Sequence, residues 1–200
     1  AYVLSKRAGL ISRPDDGEFS AITFRPERGE GRTFMVVNHN KAAATTRVVA
    51  CSDPAEAGHV LADIVSGGRV PFTIKDDELS FEVTCGDRWG RALALLPRAP
   101  ATIEVSASAP GNEGRKLMLS VRLLGSDGQP LRSTLPFDLV ISDPEGNIRD
   151  DLSGVRVAER GVYVFAMTWP VNARAGDWTA TVSEKISGTS DTATWRWPRE

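Results

Sequence analysis

The residues of this 200-residue sequence best equipped for chemistry are two histidines and two cysteines, several acid clusters and a pair of tryptophans. His39, Cys51, His59 and Cys85 all fall in the first half. Imidazole and thiolate are zinc ligands, but structural zinc is gripped by close pairs, with two to four residues between cysteines or three to five between histidines. These four show no such pairing. The plainer reading puts His39 in an Asn38-His39-Asn40 turn, lets His59 open a strand and leaves the cysteines as core filler or a disulfide. A Cys51–Cys85 bridge and two buried thiols both fit the spacing, so the redox compartment stays open.

Acids and nucleophiles fare no better. Neither histidine lies near a G-x-S-x-G or comparable element, and a serine without a positioned base is a poor nucleophile. Glycoside hydrolysis needs two carboxylates facing one another at about 5–10 Å. Asp76-Asp77-Glu78 and Asp150-Asp151 could supply them, but adjacent acids in turn-like segments are ordinarily solvated. An independent enzyme would need a deep cleft with converging carboxylates between domains. Asp143-Pro144-Glu145-Gly146-Asn147 offers hard oxygens of the kind calcium takes, without EF-hand spacing, and its Pro and Gly already account for it as a turn. Gly67-Gly68 has no helix after it and is no phosphate loop. No catalytic, cofactor-binding or metal-binding residue is therefore assigned, and no cofactor is expected.

Trp195 and Trp197 are two residues apart, so on a regular strand both rings project from one face. They could form a flat platform for sugar stacking, or they could pack in the core or against a neighbouring domain. Either removes large apolar area from water, and packing is the simpler of the two. Trp178 shares a phase with Ala180 and Val182 and reads as core, whereas Trp89 and Trp169 adjoin turns.

The elements that would position these residues are strands. Apolar residues alternate with period two and are broken every 8–12 residues by Gly, Pro, Asn or Asp, the pattern of a sandwich or barrel. Leu117, Leu119, Val121 and Leu123 share one face, followed by a turn at Ser126-Asp127-Gly128. Phe137, Leu139 and Ile141 repeat the pattern, then Val155 with Val157, Tyr163-Phe165-Met167, and Trp178-Ala180-Val182. With Ile103 and Val105 before them and Thr194 to Trp197 after, about seven strands fill roughly 100 residues, an immunoglobulin-like density. The first half offers Ile22 with Phe24, Phe34 with Val36, Val48 with Ala50, Val60 to Val65, Phe72 with Ile74, Phe81 with Val83, and Leu93 with Leu95. Pro54 to Leu61 could hold one helical turn, and residues 1–17 read as a connector or an edge strand. Pro97-Arg98-Ala99-Pro100 interrupts the ladders twice, because proline lacks a backbone donor and restricts its predecessor. The expected fold is all-β, with two tandem β-sandwich (immunoglobulin-like) domains spanning 1–98 and 101–200.

Composition narrows the partners. Twenty-four basic and 26 acidic residues give a net charge of −2, and they alternate without building a basic stripe, so nucleic acid is not an expected partner. Apolar runs such as Ala92 to Pro97 fall far short of the roughly 20 residues that span a bilayer. The start at Ala1, without an initiator Met or an export signal, reads as an excised piece of a longer chain.

Certain runs carry a resemblance. Phe34-Met35-Val36-Val37-Asn38, Leu61 to Gly68, Leu79 to Val83 and Arg91 to Pro97 resemble the all-β domain that follows the catalytic barrel in many bacterial glycoside hydrolases. Gly128-Gln129-Pro130-Leu131, Asp143 to Gly146, Gly161 to Phe165 and Ala175 to Thr179 resemble macroglobulin-type immunoglobulin-like domains of bacterial surface proteins. The resemblance implies a non-catalytic structural, spacing or docking module, extracellular or periplasmic, partnered by upstream domains of the same polypeptide. The rival is a binding module for a polysaccharide or a surface protein, using the Trp195/Trp197 face or the loops of the second domain.

Overall fold

The alternation resolves into antiparallel strands in a computed structural model that describes residues 2–3, 18–26, 29–108, 116–168 and 173–197. The chain divides into two units, Ala1–Ala99 and Pro100–Glu200. Each is a pair of antiparallel sheets, so the all-β, sandwich-type architecture holds. The first unit contains β1 (Tyr2–Val3), β2 (Phe19–Pro26), β3 (Arg32–Asn38), β4 (Ala44–Cys51), β5 (Val60–Asp63), β6 (Phe72–Lys75), β7 (Glu78–Cys85) and β8 (Gly90–Leu96). Its sheets run β1-β2-β3-β8-β5 and β4-β7-β6. The second contains β9 (Thr102–Ser108), β10 (Lys116–Leu124), β11 (Leu135–Ser142), β12 (Gly154–Ala158), β13 (Val162–Thr168), β14 (Gly176–Ser183) and β15 (Ser190–Trp197). Here the sheets run β13-β10-β9 and β12-β11-β14-β15, an immunoglobulin-like division of seven strands.

Each unit has its own core. In the first, Phe34 and Val36 of β3 and Leu93 and Leu95 of β8 meet Val48, Leu79, Phe81 and Val83 from the other sheet. Phe34 and Phe81 cross edge to face at 5.2 Å, a geometry that favours aromatic pairs beyond the area they bury. In the second, Leu117, Leu119, Val121 and Leu123 lie against Phe137, Leu139, Ile141, Trp178, Ala180 and Val182, all at most 1 % exposed. The expected alternation of β10 and β11 is thus present residue by residue.

Two expected faces are reversed. On β2 the inward residues are Phe19, Ala21 and Thr23, not Ile22 and Phe24, because Ala21 pairs with Val36 and Thr23 with Phe34. Ile22 instead pairs with Met35 on the outer face, where both are more than 40 % exposed. On β12, Val155 and Val157 face solvent, since they pair with Asp138 and Pro136 while Arg156 pairs with Phe137. The run from Val60 also ends early: the strand stops at Asp63, and Ile64 to Ser66 form a turn.

The short helical turn is a 3-10 helix, Pro54–Gly58, opened by a capping box. Asp53 accepts from the Ala55 amide at 3.0 Å, and Glu56 accepts from the Asp53 amide at 3.1 Å. Of residues 1–17, Tyr2–Val3 pairs with the end of β2 as an edge strand; residue 1 and residues 4–17 lie outside the described residues, as does Trp169.

Candidate functional site

Three buried carboxylates, and a fourth nearly so, each close a loop from within. Glu56 accepts 2.7 Å from Arg32 Nη2, and Arg32 Nη1 donates at 2.7 Å to the Cys51 carbonyl. Burial works against the charge on Arg32 and lowers its pKa, and the Glu56 carboxylate opposes that shift. Asp63 Oδ1 accepts from the amides of Val65 and Ser66 at 2.9 and 2.8 Å, while Oδ2 takes Arg91 Nη1 at 2.7 Å. Burial pushes the Asp63 carboxyl up, but the Ser66 and Val65 hydrogen bonds and Arg91 outweigh it and hold the pKa below the usual range. Glu184 accepts from the Ile186 and Ser187 amides, each at 2.8 Å.

The calcium candidate is occupied in the same way. Asp143 Oδ1 accepts from the amides of Glu145 and Asn147, both at 2.9 Å, and Arg174 lies 3.6 Å from Oδ2 and also pairs with Glu145. Gly176, at φ +134°, leaves room for Pro144, which would sit 2.7 Å from a Cβ there. The Asp143 oxygens therefore hold their own turn and a guanidinium. Of the other acids, Asp151 is held bidentately by Arg149 at 2.9 and 3.0 Å. Asp76 and Asp77 form the two-residue turn between β6 and β7, both at positive φ. Among the described residues, no three of His, Cys, Asp and Glu converge as a metal site.

The cysteines are placed far apart. Within the β4–β7 ladder Cys51 pairs with Glu78, and Ala44, seven positions earlier on the same strand, pairs with Cys85. At about 3.4 Å per residue the two thiols are separated by roughly 24 Å, whereas a disulfide needs Cα atoms within about 7 Å. They are not bonded to one another: Cys51 is exposed and Cys85 buried. Burial pushes the Cys85 thiol up, with Arg91 pulling the other way. His39 shares a 3.0 Å hydrogen bond with Ser20, and His59 caps the 3-10 helix.

Trp195 and Trp197 do share a face, and it is the inner one: they are 3 % and 6 % exposed. Trp195 pairs with Trp178 across the β14–β15 ladder and stacks on it at 6.4 Å. A ligand platform at these rings would require opening the core of the second unit. Among the described residues the exposed indole is Trp89, 74 % accessible, on the turn between β7 and β8.

A concave polar feature lies elsewhere, on the outer face of the β4-β7-β6 sheet. Because side chains alternate, Ser80 and Glu82 point away from the core residues Leu79, Phe81 and Val83. The register sets Arg47 beside Glu82 on one side, and Thr73 beside Ser80 on the other. Together with Pro71 these residues line a cleft of about 440 Å³. Ser80 forms its floor: although it points outward it is only 9 % exposed. Its hydroxyl accepts from Arg47 Nη2 at 3.1 Å and bonds to Thr73 Oγ1 at 3.0 Å. None of these positions stands out in the sequence, because polar residues alternating with core residues on a strand look like any solvated face.

No protein-family model matches the chain, and no curated protein matches it. Among solved structures it is similar to a provisionally assigned beta-galactosidase from Bacteroides fragilis, at 10 % identity and a TM-score of 0.28, covering 81 % of this chain and 33 % of that one. It is also similar to a Bacteroides uniformis beta-glucuronidase, at 12 % identity and a TM-score of 0.27, covering 86 % of this chain and 26 % of that one. The chain spans a third or less of the length of either. Likenesses at this level do not assign a function.

Proposed function

We propose that these two units are a non-catalytic structural and docking module of a larger, carbohydrate-active bacterial protein, working outside the cytoplasm. The observation that carries this reading is the use made of the carboxylates. Glu56, Asp63, Asp143 and Glu184 each bind backbone amides of their own loops, two of them with an arginine added in direct hydrogen-bond contact. Acids arranged this way fix loops in place and leave few lone pairs for a substrate. The parent's carbohydrate activity is supported by the resemblance of the Phe34 to Asn38, Leu61 to Gly68 and Arg91 to Pro97 runs to domains that follow glycosidase barrels.

The test is to delete the segment encoding these residues from the full-length gene. The shortened parent is expected to lose thermal stability or secreted yield while its kcat/KM on a small soluble glycoside stays within about twofold, below the tenfold that 1.4 kcal/mol would represent. Loss of turnover at unchanged stability would contradict the reading.

A further inference from the structure

The outer cleft of the first unit brings a cation, a carboxylate and two hydroxyls together at close quarters. Its two charged walls, Arg47 and Glu82, stand on adjacent strands as direct neighbours, and its floor is the Ser80 hydroxyl joined to Thr73. We propose that this face binds a neutral saccharide of one or two rings. The proposal deepens, and rests on, the reading of the chain as a non-catalytic module of a carbohydrate-active protein.

The argument is one of matched hydrogen bonding. A sugar hydroxyl is donor and acceptor at once, so a site for a run of hydroxyls needs donors and acceptors interleaved. Arg47 keeps further N–H donors beyond the one given to Ser80, Glu82 offers acceptors only, and the Ser80–Thr73 pair, one of whose two protons lies between them, keeps one donor along with acceptor lone pairs. Cross-strand neighbours lie about 4.5–5.5 Å apart, a spacing that one pyranose ring bridges. Pro71, which precedes the Phe72 that pairs with Phe81, sits alongside Glu82 and gives an apolar edge for ring C–H groups. An anionic ligand would meet Glu82 and a cationic one Arg47, so the balanced pair favours a neutral partner. The volume falls within the roughly 300–1,000 Å³ of small-molecule sites. The floor is fixed before a ligand arrives, because Ser80 is already held from both sides.

Amide-detected NMR titration of the whole chain with cellobiose, maltose and lactose tests this. At least one disaccharide is expected to give saturable shifts confined to the rows containing Arg47, Pro71 to Thr73 and Ser80 to Glu82. Arg47→Ala and the near-isosteric Glu82→Gln should each weaken that binding about tenfold or more, the loss expected for a hydrogen bond to a charged group. Both are outward residues, so the spectra of the variants should otherwise overlay on the parent's. Arg122→Ala, on the second unit, should leave binding unchanged. Absence of shifts with all three sugars overturns the proposal, as does unaltered binding in both cleft variants, or tighter binding of glucuronate or glucosamine than of any neutral sugar. Monosaccharide signals growing in the same tube would overturn the non-catalytic reading instead, while the location of the shifts would still decide the cleft.

Discussion

Asp63 holds its turn only as a carboxylate. Its folded pKa lies below its unfolded value, so its contribution is fully present above about 4, the ordinary carboxylate value, and is lost as pH falls through the lower folded pKa. Urea midpoints measured from neutral to acidic pH should therefore fall for the parent chain, and Asp63→Asn should be destabilised at neutral pH with a shallower acid slope. An unchanged slope would remove Asp63 from the account. Gly161 is a second decisive residue: at φ +73° a Cβ would lie 2.5 Å from the Leu131 carbonyl oxygen and 2.9 Å from that of Leu123. Its own carbonyl accepts from the Leu123 amide at 2.8 Å, so the backbone cannot move away freely. Gly161→Ala is expected to cost more than about 2 kcal/mol by chemical denaturation, the strain of a left-handed residue plus a backbone clash. The sequence shows that a glycine opens β13, but not that β10 and the Leu131 segment close over it, because that approach is set by pairing between distant segments.

The β4–β7 ladder decides the cysteine question at the scale of the element. Mass spectrometry without reductant should find both thiols reduced, with Cys51 alkylated in the folded chain and Cys85 only on unfolding; an intrachain bridge would contradict the register. The turn that joins β6 to β7 carries Asp76 and Asp77 at φ +51° and +62°, a type I′ geometry that favours Asn-Gly. Asp77→Gly should stabilise the unit by about 0.5–1 kcal/mol, read as a higher urea midpoint, since glycine accepts positive φ without penalty. Strand existence is legible wherever alternation is strong, as in β10 and β11. Strand phase is less so where both faces carry apolar groups. Thr23 goes inside and Ile22 outside because Phe34 and Val36 of the partner strand face in, and β12 turns its valines out because Phe137 takes Arg156 as its neighbour.

At the scale of the whole molecule, two cores hold the chain together, and polar groups close the loops around them. Trp178 and Trp195 stack at the centre of the second, so Trp195→Ala is expected to cost about 3–5 kcal/mol, seen as a large drop in its unfolding midpoint, with no accompanying change in sugar binding. The period-two signal that places Trp195 and Trp197 on one face is legible in sequence; which face it is depends on pairing with Trp178, itself fully buried. The cleft of Arg47, Ser80, Thr73 and Glu82 leaves no such trace, since it exists only once β4 is set beside the β6–β7 hairpin, which lies far from it in sequence.

On this account Asp63 and Asp143 serve their own loops rather than a substrate. The direct measurement is release of aglycone from a panel of aryl glycosides by the purified 200-residue chain, from mildly acidic to neutral pH. Release no faster than buffer alone is the predicted result; saturable release that disappears on replacing Asp63 or Asp143 by Asn would contradict the account.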